Sequence, residues 1–289
     1  LIMKLVQKKF IGLEFPLSDF YPKFNEGLKK DVTIEHLLTH TSGLKSYIEY
    51  YKIDSINTRD EIVEDIVKQD LEYVPGKEVV YSDLGMILLF DIIEKITSTS
   101  FDKLAANYYY KPLKMNHTTF NPDLEIKNNI APTEQDDYFR NQLLHGEVHD
   151  ENAYLLNGVS GHAGLFTTAE DISKYAKLLL NDGVYLGRRY LKKNIIKMFT
   201  KRVKYPLHSE RTIGWDTPSR NGKSTAGDYF SYKTFGHLGF TGTSLWIDPD
   251  KNIIVILLTN RIHPSRDNVG INIVRRNFHN SLMKIIGEI

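Results

Sequence analysis

Cysteine is absent from the 289-residue chain, which excludes a disulfide framework, a thiolate zinc site and a cysteine nucleophile. The sequence also lacks an excess of charge of one sign, because 37 Lys and Arg residues stand against 36 Asp and Glu residues. Without such an excess, neither nucleic acid nor an anionic membrane is favoured as a partner. Covalent catalysis by this protein would need a nucleophile other than cysteine.

Long uninterrupted apolar runs are missing as well. The most apolar helical stretch, residues 79–96, contains Asp83, Asp91 and Glu94, so no transmembrane segment is expected in the visible chain. Residues 1–6 have neither a helix cap nor the basic start and cleavage site of a signal peptide. They predict a helix that is entered partway along, and we expect more chain upstream of it.

Three helix starts can be placed from capping residues. Thr58, Ser82 and Thr168 each precede apolar residues at helical spacing. Asp171 follows Thr168 by three positions, where a capping box has glutamate.

The last third of the chain contains strand signals in addition to helix signals. Residues 243–247 and 253–259 are rich in strand-forming side chains, and the segment DPDKN between them is typical of a hairpin turn. A closing helix is predicted over residues 269–286. Because helices come first and strands do not alternate with them, the sequence predicts an α+β fold, with helices packed on an antiparallel sheet.

Two short motifs carry the chemistry. YSD at positions 81–83 begins a predicted helix and has the form Tyr-x-Asn/Asp, whereas HLGFTGT at 237–243 leads into the predicted hairpin. A glycine there lets a ligand approach the backbone closely. In this order, with GVSGHAG at 158–164 between them, the motifs resemble the active-site serine hydrolases that include penicillin-binding proteins and class C β-lactamases.

The resemblance extends along nearly the whole chain. It covers TIEHLLTHTSGL at 33–44, VPGKEVVYSDLGMILL at 74–89 and GHLGFTGTSLWIDP at 236–249. GEVHDENA at 146–153, GVSGHAGLFTT at 158–168 and LTNRIHP at 258–264 resemble the branch that includes serine-type N-acetylmuramoyl-L-alanine amidases. The resemblance implies a β-lactamase/transpeptidase-like fold with a helical subdomain. We expect a single domain over 1–289 that lacks its N-terminal part, with 1–168 mostly helical and 169–289 made of helices and sheet strands.

The nucleophile of this family lies in a Ser-x-x-Lys motif at the start of a buried helix. By the resemblance, residues 1–5 match later turns of that helix, which puts the serine and lysine about three helical turns before Met3. Ser-x-x-Lys also occurs at 42–45, 100–103 and 281–284, but each of these lies in the wrong context. We therefore expect both residues upstream of this chain, and this chain alone to be inactive.

The resemblance assigns roles to five residues. Tyr81 is the candidate general base, which requires nearby cations or donors to lower its pKa. Asp83 stands where class C enzymes carry asparagine, and His237 replaces the lysine of Lys-Thr-Gly, where it donates to substrate or positions Tyr81. Gly239 and Phe240 form the adjoining turn, and the Phe240 N–H is expected in the oxyanion hole. A half-buried structural tyrosine and a satisfied structural histidine are the open alternatives.

Residues near the 146–153 segment are candidate substrate contacts. His149, Asp150 and Glu151 are predicted to bind substrate, with a hydrogen-bonded loop anchor as the alternative. Arg261 follows the second hairpin strand, where it either clamps a substrate carboxylate or remains an exposed charge. His145, His149 and, further along, His162 are possible metal ligands, but their spacing is not that of the zinc motif His-Glu-x-x-His. Neither a metal nor another cofactor is expected.

These observations predict a serine hydrolase that forms an acyl-enzyme with an amide or ester, most specifically a muramoyl-peptide amide of the cell wall. A β-lactamase, a D-alanyl-D-alanine peptidase and a generic esterase remain alternatives within this class. A catalytically dead protein that binds cell-wall fragments is the non-enzyme alternative, and metal-assisted hydrolysis is a third. We expect a small-molecule or cell-wall-fragment substrate, no nucleic acid, and a location in the cell envelope or outside the cell.

Overall fold

The computed structural model of the protein describes residues 1–207, 209–220, 222 and 224–287. The α-helices are α1 Ile2–Gln7, α2 Ile34–Leu38, α3 Arg59–Lys68, α4 Asp83–Thr97, α5 Phe101–Ala105, α6 Glu151–Leu155, α7 Ala169–Leu180, α8 Lys193–Thr200 and α9 Ile271–Gly287. The strands are β1 Thr119–Phe120, β2 Gln135–Asp136, β3 Gln142–Leu143, β4 Leu165–Phe166, β5 Val184–Tyr185, β6 Arg188–Arg189, β7 Phe235–Leu238, β8 Ser244–Asp248 and β9 Ile253–Leu257. Short segments of 3-10 or π helix occupy Leu17–Asp19, Pro22–Asn25, Gly27–Asp31, Tyr50–Lys52, Ala106–Tyr110 and Leu124–Asn129.

The chain forms two compact units. The first comprises Leu1–Pro122, Glu147–Phe166 and Val203–Ser209, and the second comprises Asp123–Gly146, Thr167–Arg202 and Glu210–Ile289. The prediction of a single domain divided near residue 168 stays a prediction. In the part of the chain that the structure describes, no helix has the length and apolarity needed to cross a bilayer.

The first unit is built around α4. This helix is apolar on most of its circumference and packs against α2 and α3. Its residues Leu84 and Leu88 are fully buried, as are Ile62 and Ile66 of α3. A helix that is apolar nearly all round is stable only when other elements cover it, so α4 forms the centre of this unit.

The second unit contains a three-stranded antiparallel sheet in the order β7-β8-β9. Leu238 of β7 pairs with Ser244, and Trp246 of β8 pairs with Val255. The buried side chains of Trp246 and Val255 form a core cluster with Ala226, Phe230 and Met283. Because Met283 belongs to α9, this closing helix lies against the sheet, and α7 packs on β8 and β9.

The predicted caps and hairpin are confirmed. The Thr58, Ser82 and Thr168 side chains each accept a backbone N–H in the first turn of α3, α4 and α7. In the turn between β8 and β9, the Asp248 carboxylate accepts the N–H groups of Asp250 and Lys251. Helices together with antiparallel strands confirm the α+β class.

Candidate active site

Tyr81 lies one residue before the cap of α4, and three hydrogen bonds of Ser82 fix this position. The Ser82 Oγ accepts the Gly85 N–H at 3.2 Å and donates to the Lys45 carbonyl at 2.6 Å. The Ser82 N–H donates to Nδ1 of His40 at 3.0 Å. The start of α4 is therefore tied to the segment 40–45.

The ring of His40 also stacks on Tyr81. The two ring centroids are 4.3 Å apart and the planes differ by 28°. His40 is buried, whereas Tyr81 remains 38% exposed, so the phenol is held by one covered face and is still reachable from solvent. Sequence reasoning did not single out His40, although it lies within the THTSGL segment that supported the family resemblance.

Asp83 is the first residue of α4, where a negative charge is favourable near the helix N-terminus. Its N–H donates to the Ser46 carbonyl at 2.9 Å. The fold brings Asp83 together with Asp150 and His162: their ligand-type atoms all lie within 4.8 Å of one another. Two predicted site residues from distant segments therefore meet, and His162 joins them.

Asp150, His162 and Ser160 form a hydrogen-bonded chain. Asp150 caps α6 by accepting the Ala153 N–H, and its Oδ1 also lies 2.8 Å from Nε2 of His162. The other ring nitrogen of His162, Nδ1, lies 2.8 Å from the Ser160 hydroxyl. Sequence reasoning gave no role to Ser160.

The charges of Asp150 and His162 support each other. Burial by itself would raise the pKa of Asp150, but the hydrogen bond and charge of His162 hold it below its usual value. Burial by itself would lower the pKa of His162, but the hydrogen bond and charge of Asp150 raise it above its usual value. Each partner thus favours the charged form of the other.

Glu151 and His149 are buried beside this pair. Tyr47 marks where the carboxylates converge: burial raises its pKa, and so do the charges of Asp150, Glu151 and Asp83. Sequence reasoning missed Tyr47, because nothing in its local pattern indicates contact with a segment so far along the chain.

A pocket of about 470 Å³ opens beside α6. It is lined by Asn57, Asn121, Glu147, Val148, Tyr154, Leu155, Asn157 and Gly158. Neighbours of the predicted substrate residues 149–151 thus line a cavity, whereas His149 and Glu151 themselves are almost fully covered.

In the second unit, a tight turn connects β7 to β8. The Gly239 N–H donates to the Thr243 carbonyl at 2.8 Å, and buried Arg275 donates to the carbonyls of Gly239 and Thr243 at 2.6 and 2.7 Å. His237 lies in β7, with Nδ1 2.8 Å from the Leu238 carbonyl. Phe240 is 59% exposed, and the hydrogen bonds to the Gly239 and Thr243 carbonyls hold the turn that carries it. Arg275 is a supporting residue that the sequence motif did not indicate.

Arg261 braces the same turn. Its Nε donates to the Phe240 carbonyl at 2.8 Å, and its Nη1 donates to the carbonyls of Arg266 and Asn268. Its guanidinium also lies 4.4 Å from the centre of the Phe240 ring. This geometry gives Arg261 a positioning role, and its contact with a substrate carboxylate stays a prediction.

Comparisons with known proteins agree with these motifs. The N-acetylmuramyl-L-alanine amidase of Bacillus subtilis is 35% identical over 91% of this chain. A Salmonella agona protein, provisionally named a D-alanyl-D-alanine carboxypeptidase, is 31% identical over 94% of it. The structure of a penicillin-binding protein homologue from Caulobacter crescentus superposes on 90% of this chain and 73% of its own, with a TM-score of 0.69 and 16% identity. The β-lactamase/transpeptidase-like fold is thus confirmed.

The chain covers 65% of the Bacillus relative and 68% of the Salmonella relative, which is about two thirds of their length. The family model described as Beta-lactamase matches residues 1–279. The chain therefore belongs to the β-lactamase family.

Proposed function

We propose that the protein containing this chain is a serine hydrolase that cleaves a muramoyl-peptide amide through an acyl-enzyme. The observation that carries the proposal is the placement of Tyr81, which is clamped by His40 and Ser82 at the start of α4 and remains exposed. The match to the amidase of Bacillus subtilis over most of the chain supports the substrate class.

In this mechanism, the Oγ of a serine upstream of this chain attacks the amide carbonyl. Tyr81 and an upstream lysine accept the proton from the serine and pass it to the leaving amine as the C–N bond breaks. Water then attacks the acyl-serine ester and releases the carboxylate and the free serine.

The turn after β7 is proposed to stabilise the negative charge that develops on the carbonyl oxygen of the substrate. The Phe240 N–H and the N–H of the upstream serine are the proposed oxyanion donors, and the Gly239–Thr243 hydrogen bond keeps that turn rigid. His237 orients the substrate from β7. Arg275 and Arg261 hold the turn by its carbonyls.

The proposed substrate preference follows from two departures from the class C pattern. Asp83 replaces an amide donor with a negative charge, and His237 replaces an ammonium group. The hydrogen-bond donors available to the amide and carboxylate of a β-lactam are therefore altered. His149, Asp150 and Glu151 are the proposed substrate segment; they follow the pocket-lining residue Val148 along the chain, and His149 and Glu151 are themselves buried. Arg261 is the proposed contact for a substrate carboxylate.

A D-alanyl-D-alanine carboxypeptidase is the second candidate, favoured by the name of the Salmonella relative. Both candidates place the protein in the cell envelope or outside the cell, with a small cell-wall fragment as its partner. A catalytically dead binding protein would keep the pocket and lack the upstream serine.

Trapping the acyl-enzyme tests the proposal directly. The complete protein, treated with a fluorophosphonate, is expected to gain one adduct on a serine of an upstream Ser-x-x-Lys motif, identified by peptide mass spectrometry. An adduct on Ser42, Ser100 or Ser281 would contradict the assignment. Failure to label, in a protein that still binds muramoyl peptides, would favour the binding-protein alternative.

A further inference from the structure

Three separate segments each contribute one metal-ligating side chain to the same spot in the first unit. Asp83 comes from the start of α4, Asp150 from the cap of α6, and His162 from the loop that follows α6. One ligand atom of each lies within 4.8 Å of the other two.

The histidine is held in the orientation that a ligand needs. Its side chain is 2% exposed, and its Nδ1 is hydrogen-bonded to Ser160 at 2.8 Å. Nε2 therefore faces the carboxylates. Metal-binding histidines are typically fixed in this way, by a hydrogen bond at the ring nitrogen that does not touch the metal.

One further acidic group, Glu151, acts on the same neighbourhood. The hydroxyl of Tyr47 lies in the combined field of Asp83, Asp150 and Glu151. Gathering the carboxylates of Asp83 and Asp150 in a partly buried place costs electrostatic free energy, and a divalent cation between them offsets that cost.

We propose that Asp83, Asp150 and His162 bind one divalent cation, with zinc the best match to two carboxylate oxygens and one imidazole nitrogen. Zinc takes these donors at about 2.0–2.2 Å, and water then fills a fourth position. The motif GEVHDENA thus contributes a ligand through Asp150, and GVSGHAG contributes one through His162.

Small side-chain movements close the site. Ligand atoms in a tetrahedral zinc site lie about 3.4 Å apart. The ligand atoms of Asp150 and His162, now 2.8 Å apart, must separate by a few tenths of an ångström, and the Asp83 oxygen, which lies within 4.8 Å of both, must take up the zinc-bound spacing.

The bound ion would act as a clasp. It would join the start of α4, and with it the backbone that carries Tyr81, to the two loops that contain Asp150 and His162. The proposed metal site does not depend on the acyl-enzyme mechanism proposed above. Its test therefore measures metal content instead of turnover.

The test is zinc retention by the complete protein. The protein is stripped with a chelator, incubated with zinc chloride, gel-filtered and measured for bound metal. We expect one equivalent in the wild type and less than about a tenth of that in Asp150→Asn and His162→Asn. Ser160→Ala, which removes only the support of His162, is expected to weaken zinc affinity about 10- to 100-fold. The exposed residues Asp60 and His263 provide matched controls, and Asp60→Asn and His263→Asn should retain one equivalent.

Wild-type protein without retained zinc would overturn the proposal, as would full retention by Asp150→Asn and His162→Asn. A second measurement needs no variant. In the cobalt-substituted wild type, the hydrogen bond to Ser160 should slow exchange of the His162 Nδ1 proton with solvent. This proton should then give an imidazole signal that the paramagnetic cobalt shifts strongly in the NMR spectrum. Absence of any shifted imidazole signal would show that no histidine ligates the metal.

Discussion

At the scale of single residues, Tyr81 combines a fixed ring with an accessible hydroxyl. A phenol with its ordinary pKa of about 10 is a weak base at neutral pH, so the proposed role needs a nearby positive charge, which the proposed Ser-x-x-Lys lysine would supply. The sequence motif was enough to single out Tyr81. It was not enough to indicate His40, because the stacking of the two rings depends on a turn elsewhere in the chain that only the folded structure brings into contact.

Replacing Tyr81 with Phe should lower kcat of the complete protein by about a hundredfold or more, because the proton-transfer group is removed. The ring remains stacked on His40, so the fold should be preserved. The measurement is kcat on a muramoyl-peptide amide, with the 76% exposed Tyr205 changed to Phe as the control. A loss smaller than about threefold would exclude Tyr81 as the base.

Asp91 provides a residue-scale test of stability. Its carboxylate accepts from Tyr21 at 2.6 Å and forms ion pairs with Arg59 and Lys95. Burial alone would raise the pKa of Asp91, but the hydrogen bonds from Lys95 and Tyr21 and the nearby positive charges hold it below its usual value of 3.8. The stabilisation is therefore complete above about pH 4 and is lost as the pH falls through the lower, folded-state pKa.

Asp91→Asn should reduce the free energy of unfolding at pH 7 by about 1–3 kcal/mol, because it weakens the hydrogen bonds to a buried carboxylate, while Arg59 keeps its ion pair with Glu94 and Lys95 is 47% exposed. Urea unfolding across pH 2–7 should show that the free energy of unfolding falls less steeply with decreasing pH in the variant than in the wild type, because Asn has no carboxylate to protonate. Asp60→Asn, at an exposed helix position, is the control. Parallel acid profiles for wild type and Asp91→Asn would refute this account of Asp91.

At the scale of elements, local signals predicted the structure well. The three caps and the hairpin after Asp248 depend on short-range hydrogen bonds and turn chemistry, which a sequence displays directly. The predicted strand 253–259 extends two residues beyond β9, which ends at Leu257, and the closing helix begins at Ile271 instead of 269. Element ends fray and depend on tertiary contacts, so they are less visible in the sequence.

Ser82 connects an element to the site. Ser82→Ala removes the cap of α4 and the bond to Lys45, and should lower the free energy of unfolding by about 1–3 kcal/mol. Ser100 precedes α5, and its buried Oγ has no hydrogen-bond partner among the described residues. Ser100→Ala should therefore stay within about 0.5 kcal/mol of the wild type. Equal effects of the two changes in chemical denaturation would contradict the role given to the Ser82 hydroxyl.

Gly161 determines how the GVSGHAG loop fits α4. A Cβ at this position would press into the backbone carbonyl of Met86, so Gly161→Ala must displace the loop that carries Ser160 and His162. We expect a loss of about 2 kcal/mol or more in stability. At Gly270, the nearest atom to an added Cβ is 3.4 Å away, and Gly270→Ala is the tolerated control. A thermal midpoint for Gly161→Ala equal to that of the control would show that the loop has room to adapt.

At the scale of the whole molecule, the meeting of Asp83, Asp150 and His162 is what the sequence could not provide. Spacing rules detect ligands on one helix, and the spacing around His145 and His149 argued against a metal site. The three side chains that converge come from separate segments, and only tertiary folding brings them together. The family resemblance, in contrast, was carried by contiguous motifs and is confirmed along residues 1–279.

The most direct test of the proposed function is a comparison of kcat/KM for the complete protein on four substrates. They are an N-acetylmuramoyl-L-alanyl peptide, a D-alanyl-D-alanine peptide, nitrocefin and a short-chain p-nitrophenyl ester. The account predicts the highest kcat/KM on the muramoyl amide. The ester should also be cleaved, because a substrate with a good leaving group reacts without precise orientation in the active site. Nitrocefin turnover far above the muramoyl amide would contradict it and indicate a β-lactamase, and a preference for the D-alanyl-D-alanine peptide would indicate a carboxypeptidase.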